Sequence, residues 1–204
     1  MASIGIINLD SGNLASLINA FKILEVKVKI IENYKDIKRF NKILLPGVGH
    51  FKNACESLKK KKFNKELINF TQKEKNKILG ICLGMQLLFE DSEEGNIDGL
   101  NLIKGKVKKF DKSKKDIKIP HIGWNSVKIK NQSYLLKDIS DMTDFYFVHS
   151  YMVKYNLKNE IIGETDNSDI FTSVINKKNI YGVQFHPEKS HKAGLKILRN
   201  FMEL

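Results

Sequence analysis

The sequence is poor in the residues that mark the specialised protein classes. Its 204 residues include only two cysteines, Cys55 and Cys82, too few for the disulfide frameworks that staple small secreted domains. Only three prolines occur, and no low-complexity linker or internal repeat is visible, so nothing marks a domain boundary. No apolar run approaches the ~18 residues that a membrane span requires, and no membrane association is expected. The first nine residues form a short β-branched run without the basic start and small-residue cleavage site of a secretory signal. A cytoplasmic protein is therefore expected.

Arginine is scarce as well, present only at Arg39 and Arg199, although the net charge is +12. The positive charge is lysine, spread through Lys59–Lys62, residues 104–118 and elsewhere. A nucleic-acid-binding face clusters its basic residues and adds a recognition helix or an aromatic RNA-binding signature. Neither feature is recognisable. The expectation is a lysine-rich solvated surface and no nucleic-acid partner.

What is present is the composition of an ordinary globular protein, 42% hydrophobic and 28% charged, in a chain long enough to bury one full core. We expect a single domain over residues 1–204. The first half alternates strand and helix patterns: strand at Ile4–Ile7, helix at Asn13–Leu24, strands at Val26–Ile31 and Lys42–Leu45, a helical pattern after Gly49, and a strand at Lys77–Ile81. Such alternation implies an α/β fold, with a mostly parallel (mixed) central sheet flanked by helices. The second half is β-rich near Leu102–Phe110, Ser126–Ile129, Phe145–Val148, Glu160–Thr165, Thr172–Asn176 and Ile180–Phe185, stretches expected to extend the sheet, some antiparallel. Leu195, Leu198, Phe201 and Met202 recur at helical spacing, as core-facing residues of a last helix do. Residues 112–118 are expected to form a mobile loop.

The chemistry concentrates in three short segments. In Gly80-Ile-Cys82-Leu-Gly84-Met-Gln86 an apolar strand runs into a cysteine with glycines two residues before and after it, and a helical pattern follows. Small residues at those positions let the backbone approach itself in a strained strand-to-helix turn that lifts a nucleophile clear of the sheet. A helix N-terminus at the sulfur also favours thiolate. Taken alone, Cys82 is compatible with either a nucleophile or an inert buried thiol, the reading that suits Cys55 within its helical pattern.

The second segment, Gly182-Val-Gln-Phe-His186-Pro-Glu188-Lys-Ser190, ends a strand in a histidine with a carboxylate two residues on and Pro187 fixing the turn between. A thiol nucleophile needs a base within hydrogen-bond reach and a third group orienting the imidazole, and this segment offers both. The other histidines, His50, His121, His149 and His191, read as structural or surface residues. The third segment, Leu45-Pro-Gly47-Val48-Gly49, is a strand ending in a glycine turn whose N–H groups can hold an oxyanion, although by itself it is a common turn.

Together, and in this order, the segments resemble the class I (triad-type) glutamine amidotransferases. Within that family the likeness is to the glutaminase subunits of imidazole glycerol phosphate synthase, carried also by Asn13-Leu14, Pro120-His-Ile-Gly-Trp-Asn125 and Phe147-Val-His-Ser-Tyr151. It covers essentially the whole chain. The resemblance implies a flavodoxin-like fold and a Cys82–His186–Glu188 triad that hydrolyses glutamine, without cofactor or metal. It implies an oxyanion hole from Val48, Gly49 and Leu83, and substrate contacts from Gly47, Gly84, Gln86, Glu94, His149, Ser150 and Tyr151. It implies further a (β/α)8-barrel cyclase as heterodimer partner, facing Asn13, His121, Trp124 and Lys189, and weak glutaminase activity without it. An N–H of the Gly47–Gly49 turn that points away until docking would account for that silence.

The family pattern Asp-Tyr-Gly-x-Gly-Asn is replaced here by Asn8-Leu-Asp10-Ser-Gly12-Asn13, of which only the final Gly-Asn survives. That departure bears on the partner rather than on the chemistry. An ammonia supply for sugar amidation in surface-polysaccharide synthesis stays open as an alternative acceptor. A peptidase on a related fold would need neither Gln86 nor His-Pro-Glu, and a non-catalytic member would be expected to have lost Cys82 or His186.

Overall fold

A computed structural model of the chain describes residues 4–10, 14–113, 117–155 and 158–204. Thirteen strands appear among them in chain order: β1 Ile4–Ile7, β2 Val28–Ile31, β3 Lys42–Gly47, β4 Lys77–Cys82, β5 Asp91–Ser92, β6 Ile97–Asp98, β7 Lys106–Lys109, β8 His121–Ile129, β9 Thr143–His149, β10 Tyr151–Lys154, β11 Ile161–Asp166, β12 Ile170–Lys177 and β13 Ile180–Val183. The helices are α1 Leu14–Ile23, α2 Phe51–Lys60, α3 Phe63–Thr71, α4 Leu83–Gln86 and α5 His191–Glu203.

Nine strands form one sheet in the order β2-β1-β3-β4-β13-β12-β11-β8-β9. The pairings β1–β2, β1–β3, β3–β4 and β4–β13 are parallel, and every pairing from β13 outward to β9 is antiparallel. The sheet is thus mixed, a parallel half extended by an antiparallel one. β1, β4 and β13 are near-continuous apolar runs buried on both faces, as helix-covered parallel strands must be. Alternation sends Ile43 and Leu45 of β3 into one core layer with α2 and α3, and Leu44 into the other with α1 and α5.

The helices form where apolar residues repeat at helical spacing. In α2, Phe51, Ala54, Cys55 and Leu58 face the core, and in α1, Leu17, Ala20 and Phe21 do. The helix expected after Cys82 lasts only one turn. It stops because the carbonyls of Leu87, Leu88 and Phe89, which a longer helix would use internally, accept N–H groups from Leu100, Leu102, Ile103 and Asn101. The β-rich stretch expected at Leu102–Phe110 yields β7, but β7 does not extend the central sheet: it joins a second, four-stranded sheet, β10-β7-β5-β6, whose short strands β5 and β6 had no counterpart in the sequence pattern. Part of the expected mobile segment at 112–118, residues 114–116, lies outside the described residues, as does Asn13 at the expected start of α1.

Because β3, β4 and β13 run in parallel, their carboxyl ends emerge at one edge of the sheet. Gly47 is paired with Cys82, and Val183 with Ile81. The three chemistry-bearing segments of the sequence therefore leave the sheet side by side, at the edge where open α/β sheets bind ligands.

Candidate active site

Cys82 ends β4 at φ 53 and ψ −113, a left-handed conformation that costs free energy for a residue with a side chain. The elbow holds because the backbone around it is packed without clearance. A Cβ on Gly84 would overlap the Leu45 carbonyl oxygen, and one on Gly80 would overlap the Gly84 carbonyl. Gly47 and Gly84, both expected to touch substrate, act here as points of close approach between β3 and the elbow.

His186 follows β13 and is buried, with Nδ1 2.8 Å from Glu188 Oε1. Nε2 is buried without a regular hydrogen bond, and the group that acts on it is Cys82. Burial opposes an imidazolium here, but the charge and hydrogen bonding of Cys82 and then Glu188 outweigh it and hold His186 well above the ordinary imidazole range.

Sequence reasoning gave Ser190 no role, yet its hydroxyl locks this turn. Oγ donates to the His186 carbonyl at 2.7 Å and accepts the Tyr146 N–H at 3.0 Å, while the His186 N–H bonds the Tyr146 carbonyl at 2.9 Å. Ser190 thereby ties the histidine turn to β9. The motif displayed this serine, but its partner Tyr146 lies 44 positions away and carries no local signal.

A cleft of about 240 Å3 opens over Cys82. Its wall includes the three residues expected of the oxyanion hole, Val48, Gly49 and Leu83, and five of those expected to hold substrate, Gln86, Glu94, His149, Ser150 and Tyr151. Gly49 takes φ +97 with open space around its Cα, so the turn bends where only glycine is unstrained. Glu94 also braces the fold, since its Oε2 accepts the N–H of Phe51, the first residue of α2, at 2.8 Å.

Behind the wall runs a chain of side chains whose proton positions follow from backbone carbonyls. The Tyr151 carbonyl only accepts, so His149 Nδ1, 2.7 Å away, carries the proton and Nε2 is the acceptor. His121 Nδ1 must then donate to His149 Nε2 at 2.9 Å, leaving His121 Nε2 to accept from Asn125 Nδ2 at 3.1 Å. Burial depresses His121 to about 4, and burial, only partly offset by the hydrogen bond to the Tyr151 carbonyl, depresses His149 to about 3, so both rings favour the neutral form. Neither nitrogen of His149 is free for substrate. The Tyr151 carbonyl also accepts from Gln86 Nε2 at 3.0 Å, and that same amide nitrogen donates to Gln184 Oε1 at 3.0 Å.

Of the residues expected to face a partner, Asn13 lies outside the described residues. Trp124 is 47% exposed and stacks on His191, and with Lys189 it lines a separate open recess beside α1. His121 is not on that face. Alternation along β8 turns Ile122 and Trp124 outward and His121 inward, where it stacks on Phe147. Among the described residues no group of His, Cys, Asp and Glu is placed to hold a metal ion, and no helix is long and apolar enough to cross a membrane.

A family model described as glutamine amidotransferase class-I matches residues 6–204. A Methanocaldococcus jannaschii protein named imidazole glycerol phosphate synthase subunit HisH is 48% identical over 98% of this chain and 99% of its own length. A protein of the same name from Leptospira interrogans is 39% identical over 98% of this chain and 100% of its own. Among solved structures, one titled glutamine amidotransferase superposes with a TM-score of 0.75 at 13% identity, covering 98% of this chain and 97% of its own. PurLQS from Thermotoga maritima gives 0.73 at 15% identity over 100% and 99%. The last two bear on the fold alone.

Proposed function

Because the chain belongs to the class I glutamine amidotransferases, we propose that it hydrolyses glutamine through Cys82, His186 and Glu188 and passes the ammonia to a partner synthase. The glutaminase subunit of imidazole glycerol phosphate synthase, in histidine biosynthesis, is the role its full-length relatives support. They do not favour the sugar-amidating alternative. The single observation that carries the chemistry is Cys82, strained at the end of β4 on the wall of a cleft, beside a buried His186–Glu188 pair. We read residues 1–204 as one catalytic unit, working in the cytoplasm.

In this mechanism the Cys82 thiolate attacks the carboxamide carbon of glutamine, and N–H groups of Leu83 and the Val48–Gly49 turn hold the tetrahedral oxyanion. His186 gives its proton to the departing nitrogen. Ammonia leaves and a glutamyl thioester remains on Cys82. His186 Nε2 then takes a proton from water as the hydroxyl adds to the thioester, and collapse releases glutamate with the thiolate and protonated His186 restored. Glu188 keeps Nδ1 protonated and the ring oriented throughout. Gln86 has its amide nitrogen engaged by Tyr151 and Gln184, so what it presents to substrate is Oε1.

Ammonia released into water becomes ammonium, so the glutaminase must dock on its acceptor. A (β/α)8-barrel cyclase is the partner proposed, docking on the face that carries Trp124 and Lys189. The test is glutamate release from glutamine by the purified chain alone, with the cyclase of the same organism, and with a sugar-amidating synthetase. Turnover is expected with the cyclase only. Substantial turnover by the isolated chain would remove the partner dependence, and none in any arm would remove the glutaminase.

A further inference from the structure

The sulfur of Cys82 has a neighbour that the glutaminase mechanism does not use. We propose that Gln184 is a positioning residue that holds and stabilises the Cys82 thiolate through its side-chain N–H, in an orientation dictated by Gln86 and the Tyr151 carbonyl. The inference rests on the glutaminase reading of Cys82 and adds a residue to it.

The placement follows from register. β13 pairs with β4 in parallel with Val183 beside Ile81, so one residue further on Gln184 comes level with Cys82. Gln184 and His186, two positions apart on extended chain, project to the same side and flank the sulfur. Gln184 Nε2 lies 3.7 Å from Cys82 Sγ, within range of a hydrogen bond to sulfur. The Gln184 N–H is anchored on the Ser173 carbonyl of β12 at 2.9 Å, which fixes the backbone from the other side.

The orientation of the carboxamide is not free. Tyr151 contributes a carbonyl, which can only accept, so the Gln86 atom bonded to it is Nε2. That nitrogen also faces Gln184, so the Gln184 atom it meets must be Oε1. The atom left to face the sulfur is therefore Nε2, a donor. A flip would set nitrogen against nitrogen and oxygen against sulfur.

The second polar neighbour of the sulfur responds oppositely to charge. The Val148 carbonyl, 3.8 Å from Sγ, can accept from a thiol but only repels a thiolate. When Cys82 loses its proton, Gln184 becomes the neutral donor that compensates, in a bond strengthened by the charge. The charged groups around the sulfur are His186, Glu188 behind it, and Glu94 across the cleft, where its Oε2 is held by the Phe51 N–H; His149, on the cleft wall from β9, favours the neutral form. Gln184 is fully buried, and burying a primary amide where a hydrocarbon of the same length would fit is unfavourable unless its bonds are used. Substrate contact is left to residues of the cleft wall.

The test uses Gln184→Met, which keeps length and removes both donors. In the complex with the cyclase, kcat for glutamine should fall about ten- to a hundredfold, the range a lost charge-assisted bond implies, with KM changed less than threefold. In the isolated chain, the pH profile for iodoacetamide labelling of Cys82, followed by mass spectrometry, should move its midpoint upward by about one unit. A merely structural residue would leave that midpoint in place. Wild-type kcat and an unmoved profile in the folded variant would overturn the proposal. Gln184→Leu serves if the first variant does not fold; if neither folds, the side chain belongs to the core and the proposal falls. Absence of glutamine turnover by the wild-type complex would count against the functional reading instead, since labelling of Cys82 is measured without glutamine.

Discussion

Cys55 and Cys82 are both free thiols and almost equally buried, at 2% and 5% exposure, yet they occupy opposite chemical situations. Cys55 sits mid-helix in α2 among apolar side chains, and burial pushes its thiol up to about 12, so it stays protonated and unreactive. Cys82 sits on a strained strand end, with an amide donor and an imidazole paired to a carboxylate around it. The histidines repeat the contrast. Burial alone depresses His121, whereas charged and hydrogen-bonding partners raise His186 against the same penalty. What separates reactive from inert in this molecule is the neighbours of a buried group.

The contrast breaks most directly at the sulfur. Cys82→Ser should lower glutamine-dependent turnover of the complex by roughly 10⁴-fold or more while its reaction with added ammonium salt continues. Loss of both reactions would mean damage to folding or docking. Ser190→Ala removes the two hydroxyl bonds to the His186 turn, leaving the His186 N–H on the Tyr146 carbonyl, and should lower kcat by about ten- to a hundredfold, with KM for glutamine nearly unchanged. A wild-type kcat would show that Pro187 and β9 hold the turn without the hydroxyl.

The histidine couple sharpens the comparison through pH. His121 and His149 titrate below the 6.5 of a free imidazole, so the unfolded chain binds more protons than the folded one as pH falls through 6.5. Their contribution is complete above 6.5 and is lost progressively toward about 4 and about 3. His121→Gln, which can still donate to His149 but does not titrate, should therefore lose about 2–4 °C less in Tm than the wild type between pH 7 and pH 5. Equal losses would mean the couple is not linked to folding. The smallest effect belongs to Cys55→Ala: glutaminase activity within about twofold of wild type, at a stability cost of about 1 kcal/mol in denaturant unfolding.

Much of this was legible locally. The Ile4–Ile7 strand, the apolar run into Cys82 and the order of the three motifs are written in consecutive residues, and the structure places them as read. Features made by distant pairing were not legible. The one-turn length of α4 depends on N–H groups from residues 100–103, and β5 and β6 are two residues each, too short for any periodicity. The inward turn of His121 depends on which face of β8 the rest of the chain covers. Gln184 stands within the segment that carries His186, but its role appears only when β13 lies beside β4, bringing together residues 102 positions apart.

That last placement has a consequence for synthesis. β13 inserts into the middle of the sheet, between β4 and β12, and it brings the base and the amide donor with it. A ribosome will have threaded out the strand bearing Cys82 about a hundred residues before the strand bearing His186, on the separation of Gln184 from the sulfur. Until that late segment has been made, the chain holds Cys82 without the base and the amide donor that the finished fold places beside it.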